Sequence, residues 1–378
     1  MLLEIKSKYV LQKIFSYANP LKYLEIIRHN KYIQTKLDIS IKDYELFYKE
    51  HNQIEIEIKP KEDFFENNFK FINYNEEDRP NFHIYLDDEK EETKVDYLEK
   101  KVSKIIIKID VGLKSLEGLF KNLFYIEEVN FIKFNRKNIT NMSKMFEMCI
   151  NLTKLDIQNI KTNNVTNMSL MFFSCLSLQQ LNISNFITSK VTDMSHMFYN
   201  CRNLQELNVS NFDTSNTTKM DFMFYGCASL KKLNLANFNT SKVTSMIRMF
   251  DRCESLEELI ITNFDVSNIS NLDWIFSSCY KLKELNLSGF NTKNITNMSS
   301  MFYNCKALEK VDLSKFDTCN VTRMDNMFYG CASLNNLNIS NFNTDKVENM
   351  KGMFSNCSKE MKDKIKEQNK NLKEEVFI

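Results

Sequence analysis

Cysteine recurs at Cys149, Cys175, Cys201, Cys227, Cys253, Cys279, Cys305, Cys331 and Cys357, a step of 26 residues kept across nine of the ten cysteines. Three residues before each stands a phenylalanine, from Phe146 and Phe172 through Phe198, Phe224, Phe250, Phe276, Phe302 and Phe328 to Phe354. Methionine precedes each of these except Phe276, which follows Ile275. A fixed period of this size marks an array of structural repeats, in which one unit cannot bury its apolar face alone and must be covered by its neighbours.

Within one unit the apolar spacing changes. Leu207, Asn208, Val209 and Ser210 alternate with period two, the mark of a half-buried strand, whereas Met194, Met197, Phe198 and Cys201 fall at i, i+3, i+4 and i+7, one stripe of a helix. The spacing predicts strand, turn and short helix in every repeat. Thr166, Thr192, Thr244, Thr296 and Thr322 precede the stripe as expected helix caps. Asp213-Thr214-Ser215 and its equivalents supply an Asx-type turn after the strand. The fold class expected is an α/β repeat solenoid, a curved rod with parallel strands on one face and short helices on the other.

The expected organisation has four parts: a helical segment over 1–50, a mixed strand-containing connector or cap over 51–110, about ten repeats over 111–357, and a cap or tail over 358–378. The first repeat is degenerate, with Leu116, Leu119, Phe120 and Leu123 in register and Leu in place of Cys. All three prolines and three of the four histidines fall before Val111. Alternation at 54–58 and 82–86 reads as strands, and the Lys- and Glu-rich tail with Met361, Ile365 and Leu372 reads as a closing helix.

The consensus Leu-x-x-Leu-Asn-Leu-Ser-Asn-Phe-Asx-Thr-Ser-x-Val-Thr-x-Met-x-x-Met-Phe-x-x-Cys, nearly complete in 178–201 and 334–357, resembles the 26-residue surface-protein repeat of the BspA-like leucine-rich repeat family. The resemblance spans about 113–357. It implies a leucine-rich-repeat-type solenoid and, in the family's bacterial members, display at the cell surface for adhesion; it implies no catalytic residue. Phe212 and its equivalents stand where leucine-rich repeats usually bury an Asn, so the turn there is expected to be anchored by Phe. Near the start, Tyr9 to Tyr17 followed by Leu21, Leu24, Ile26 and Ile27 is similar to the core of an F-box, which implies docking of a Skp-like adaptor through residues 1–50. A small helical cap over the entrance of the array is the competing reading of the same residues.

With 43% apolar residues, 26% charged residues and a formal net charge of +1, the chain offers no basic field for nucleic acid. No apolar run reaches the length of a membrane span, and the first residues lack a signal-peptide core. Nine cysteines lie on the apolar stripe, one per repeat, with no Cys-x-x-Cys and His196 as the array's one histidine, so free core thiols are expected in place of zinc ligands or disulfides. Only Cys319, in a turn, reads as exposed. Unpaired thiols, together with Asn-x-Ser triplets spaced too closely along the strands to carry glycans, favour a reducing, cytoplasmic setting.

Catalysis finds no residue set. The six glycines form no phosphate-cradling loop, Asp156 and Asp312 are six repeats apart, and His196 falls at a variable, solvent-facing helix position. A non-enzymatic chain without cofactor or metal is expected, acting as a monomeric scaffold for protein partners; an F-box-like ubiquitin-ligase adaptor and a BspA-type adhesin are the alternatives.

Two ladders are candidate contact surfaces. The outward strand positions carry Glu206 and Asn208, Lys232 and Asn234, Glu258 and Ile260, Glu284 and Asn286, with Ile260 interrupting the Asn row. The other ladder is Phe173, Tyr199, Tyr225, Tyr303 and Tyr329, each one residue after the buried Phe and about 100° around the expected helix from it. Tyr is a common interface anchor. Asp251 and Ser277 interrupt this row and are expected to split it into two patches.

Overall fold

The structure is a computed structural model and describes residues 27–37, 48–49, 52–62, 70–93, 96–97, 101–369 and 372–378. Most of the F-box-like stretch over 1–50 lies outside the described residues. What is described begins with helix α1 (Lys31–Leu37) and strands β1 (Ile54–Pro60), β2 (Phe82–Leu86), β3 (Ile105–Ile109) and β4 (Ile126–Phe134). Along the repeats follow five short strands: β5 (Lys154–Asp156), β6 (Lys232–Asn234), β7 (Glu258–Ile260), β8 (Glu284–Leu285) and β9 (Lys310–Val311). Helix α2 (Lys359–Gln368) and a 3-10 turn (Glu374–Val376) come last.

Strand β1 lies between β3 and β4 and is antiparallel to both, in a five-stranded sheet of order β2-β3-β1-β4-β5. Its alternating Ile54, Ile56 and Ile58 are fully buried. Because β4 is also paired in parallel with β5 of the following repeat, β1 covers the edge that the first repeat would otherwise present. The Tyr125 hydroxyl donates to the Phe71 carbonyl at 2.7 Å, and the Asn73 amide donates to the Leu119 carbonyl at 2.9 Å, fastening the same junction.

The repeats stack at a strict offset of 26, pairing Glu128 with Lys154, Lys232 with Glu258 and Glu284 with Lys310. The expected α/β leucine-rich-repeat-type solenoid is nevertheless not the fold. No helix lies anywhere in 111–357, and the strands are two or three residues long beyond β4, gathered in small separate sheets with no continuous parallel sheet.

The stripe that reads as a helix is instead a run of tight turns. Met194, Met197, Phe198 and Cys201 are fully buried, as the spacing demands, but His196 and Asn200 between them have φ of 58°. Two left-handed residues four apart recur in every repeat, from Gly118 and Asn122 to Gly352 and Asn356. Sixteen of these residues are not glycine, and each costs roughly 1–2 kcal/mol relative to right-handed backbone. The stack compensates: the amides of His196, Phe198 and Asn200 donate to the carbonyls of Asp221, Met223 and Tyr225 in the next repeat at 2.8, 2.9 and 2.6 Å. A helix would spend those amides within its own turn and lose these bonds between successive repeats.

Side chains extend the same logic. The predicted cap Thr192 caps nothing, since its amide and hydroxyl both donate to the Thr166 carbonyl, at 2.8 and 3.2 Å. Buried Thr188 donates to the Asp213 carbonyl and accepts from the Asp213 amide, at 2.9 and 2.8 Å. Phe212 is buried and stacks on Phe238 at 6.4 Å, while its neighbour Asn211 donates across the repeat to the carbonyls of Ile183 and Phe186, at 3.0 and 2.8 Å. A half-buried polar staple is therefore present, one residue before the Phe anchor.

Through the core run the repeat phenylalanines. Phe120, Phe146, Phe172, Phe198, Phe224, Phe250, Phe276, Phe302, Phe328 and Phe354 form one column, with neighbouring centroids 5.2–5.8 Å apart. At the far end α2 closes the array, its start capped by the Ser358 hydroxyl accepting from the Met361 amide, with Met361 and Ile365 buried beneath it.

Candidate interaction face

The left-handed turns set two rows of side chains side by side, half-buried except at Asp251, Ser277 and Ser300, which are buried. One row holds Phe173, Tyr199, Tyr225, Asp251, Ser277, Tyr303 and Tyr329; the other holds Lys144, Leu170, His196, Phe222, Arg248, Trp274, Ser300 and Asn326. In an α-helix residues three apart stand one above the other; here the positive φ at His196 sets it beside Tyr199, with ring centroids 5.6 Å apart.

Phe173, Tyr199 and Tyr225 stack face to face at 4.5 Å per step and within 9° of parallel. His196 stacks on Phe222 at 4.8 Å, and Phe222 in turn lies 5.8 Å from Tyr225. These rings are half-buried, so His196 is not the solvent-facing residue its place suggested. Burial lowers the His196 pKa from its ordinary value, against the opposing pull of Asp221 and Asp193. Further along, Tyr303 and Tyr329 stack at 4.7 Å.

Asp251 and Ser277 do interrupt the aromatic row, yet the face continues across them. Arg252 reaches to 6.0 Å from the Tyr225 ring centroid, Arg248 lies 4.8 Å from that of Trp274, and Trp274 is 5.1 Å from Tyr303. Arg248, Arg252, Trp274, His196 and Phe222 have no repeating signature in the sequence, because their positions vary in residue type from repeat to repeat. The recurrence of Asn or Gly at the second left-handed position, in Asn200, Gly226, Asn304, Gly330 and Asn356, is the signal that points to the turn geometry.

Beneath the bridge, Asp251 is 2% exposed and has Arg248 at 3.7 Å. Its carboxyl is pushed up to about 6, because burial penalises the charged form more than Ser277 and the two arginines favour it. Asp273 is likewise pushed up to about 6 by burial, and its Oδ1 has no hydrogen-bond partner.

On the strand side, Glu206, Asn208, Lys232, Asn234, Glu258, Glu284 and Asn286 are exposed and Ile260 is half-buried. The Asn row has local work: the Oδ1 atoms of Asn208, Asn234 and Asn286 each accept at 3.0 Å from the amide two residues on. Lys232 and Glu258 pair at 2.9 Å across adjacent strands, an exposed contact of small energy. This side is held by its own turn chemistry.

The cysteines approach neither face. Cys149, Cys175, Cys201, Cys227, Cys253, Cys279, Cys305 and Cys331 are buried, Cys357 is half-buried and Cys319 is exposed; all ten are free thiols. Burial raises the core thiols above their ordinary range, Cys201 and Cys305 to about 12. Among the described residues no group of His, Cys, Asp and Glu is placed to hold a metal, and no helix is long and apolar enough to cross a membrane.

One family model, described as a Mycoplasma protein of unknown function, DUF285, matches residues 114–232, 201–288, 221–310 and 270–375. Searches of the curated proteins and of the solved structures returned no match.

Proposed function

The chain belongs to that repeat family, and we propose that it is a non-catalytic binding scaffold whose aromatic and arginine face meets a protein partner. The observation that carries the reading is the run of half-buried rings from Phe173 through Tyr199 and Tyr225 to Trp274, Tyr303 and Tyr329, with exposed Arg252 between Tyr225 and Trp274. The ring faces are stacked on one another, so the side offered to a partner is a row of ring edges, tyrosine hydroxyls and two guanidinium groups. Such a row suits a protein surface rich in carbonyl and carboxylate acceptors, and Tyr, Trp and Arg are the residue types that dominate binding hot spots. The repeats space these contacts along one direction, so affinity would come from many modest contacts. A reducing, cytoplasmic setting fits nine thiols kept as core donors.

A photo-cross-linking residue placed at Tyr199, at Tyr303 or at Asn208 in the full chain tests this in the native cell. The reading expects the same adduct from Tyr199 and Tyr303 and none from Asn208. An adduct from Asn208 alone would move the interface to the strand side and overturn it.

A further inference from the structure

Residues 374–378 stand where one more repeat would begin. In the regular stack the amides of Asn326 and Phe328 donate to the carbonyls of Lys351 and Met353, at 3.0 and 2.9 Å. At the last repeat the equivalent amides of Gly352 and Phe354 donate to the carbonyls of Glu375 and Val376, at 2.7 and 2.8 Å. The phenyl column gains one more ring from the same segment, Phe377, 5.9 Å from Phe354. Val376 is fully buried and Phe377 is 6% exposed.

Helix α2 supplies the remaining contacts. Lys362 Nζ donates to the Phe377 carbonyl at 2.9 Å, and Lys366 Nζ pairs with Glu374 at 2.9 Å while lying 4.7 Å from the Phe377 ring centroid. The Ser355 hydroxyl donates to the Ile378 carbonyl. A true repeat is anchored along its whole length, whereas this segment is held by four backbone acceptors, one aliphatic side chain, one ring and one carboxylate. Those are the contacts of a bound peptide in an edge-addition site.

We propose that the end face formed by Gly352, Phe354, Ser355 and α2 is a peptide-binding site, filled in cis by residues 374–378 and open to the same segment of a second copy of the chain. Each copy carries both the site and its ligand, read in the order acidic, acidic, aliphatic, aromatic, and the opposite end of the array is covered by β1. The cis segment competes with any trans segment, so a trans ligand sees only the fraction of sites that stand open. This inference is independent of the aromatic face.

The test is fluorescence anisotropy of a labelled peptide of residues 372–378 titrated with the full chain, with Phe377→Ala and with Glu374→Lys. Weakening the cis ligand should tighten the peptide roughly tenfold or more in Phe377→Ala, with Glu374→Lys between it and the unaltered chain. A peptide with Ala in place of its Phe should bind none of the three. Equal affinities across the folded proteins, or a peptide indifferent to loss of its ring, would overturn the proposal. Glu374→Lys, which changes only an exposed carboxylate, decides the matter should Phe377→Ala fail to fold.

Discussion

The thiol of Cys201 donates to the carbonyl oxygen of Phe172 across 3.1 Å, and the same bond recurs at every step from Cys149 to Cys357. That carbonyl already accepts from the Cys175 amide, at 3.2 Å. Cysteine thus serves as a small core residue with one weak donor aimed at the preceding repeat. Cys201→Val removes the donor and adds about a methyl group, and should cost about 1–2 kcal/mol; Cys201→Ala removes the donor and leaves a small cavity, and should cost about 2 kcal/mol. Urea unfolding followed by circular dichroism measures both, and a neutral Cys201→Val would remove the thiol bond from the account.

Thiol chemistry should separate the cysteines by position. Cys319 is exposed, but its hydrogen bond with Asp317 raises its pKa, so a disulfide reagent should label it slowly at pH 7 and faster near pH 9. Cys357 should follow, and all ten should react in denaturant. Fewer than ten free thiols in the denatured chain would mean that some are oxidised.

Stability should fall as the solution becomes more basic around Asp251. Its folded pKa of about 6 lies above its ordinary carboxyl value. The stability it contributes is therefore fully present below the unfolded pKa of about 4 and is lost as the pH rises through about 6. Asp251→Asn removes that loss and should be roughly 2 kcal/mol more stable relative to the parent at pH 8 than at pH 4. Thermal melts across this range decide it, and parallel curves for the two proteins would contradict it.

The Thr ladder has one natural gap. Thr240 and Thr292 each form a paired bond with the backbone of the next repeat, through Asp265 and Asp317, whereas Val266 between them has no hydroxyl. Val266→Thr should restore the pair and stabilise the chain by about 1 kcal/mol, while Thr214→Val should destabilise it by about 1–2 kcal/mol. The difference in chemical-denaturation midpoint reads both, and a destabilised Val266→Thr would show that the site cannot seat a hydroxyl.

The period, the buried set and the N-terminal strands were legible from one sequence. Met194, Met197, Phe198 and Cys201 are buried as their spacing requires, and Ile54, Ile56 and Ile58 alternate inward on β1. The strand-side Asn row was legible as polar but not as turn chemistry, because its bonds run to amides two residues on. Arg248, Arg252 and Trp274 had no repeating signature and became part of a face only through stacking.

Which side chains go inward, and that successive units must cover one another, followed from the amino-acid order alone, because burial follows the spacing of apolar residues. Whether the stripe at Met194 to Cys201 would be a helix was settled by the assembled stack. The same i, i+3, i+4, i+7 spacing serves a helix and a turn with left-handed residues at His196 and Asn200. The choice rests on amide bonds from His196 and Asn200 to carbonyls of the next repeat, at Asp221 and Tyr225. A left-handed residue is unfavourable taken alone and is stabilised only when that next repeat is in place to accept its amide.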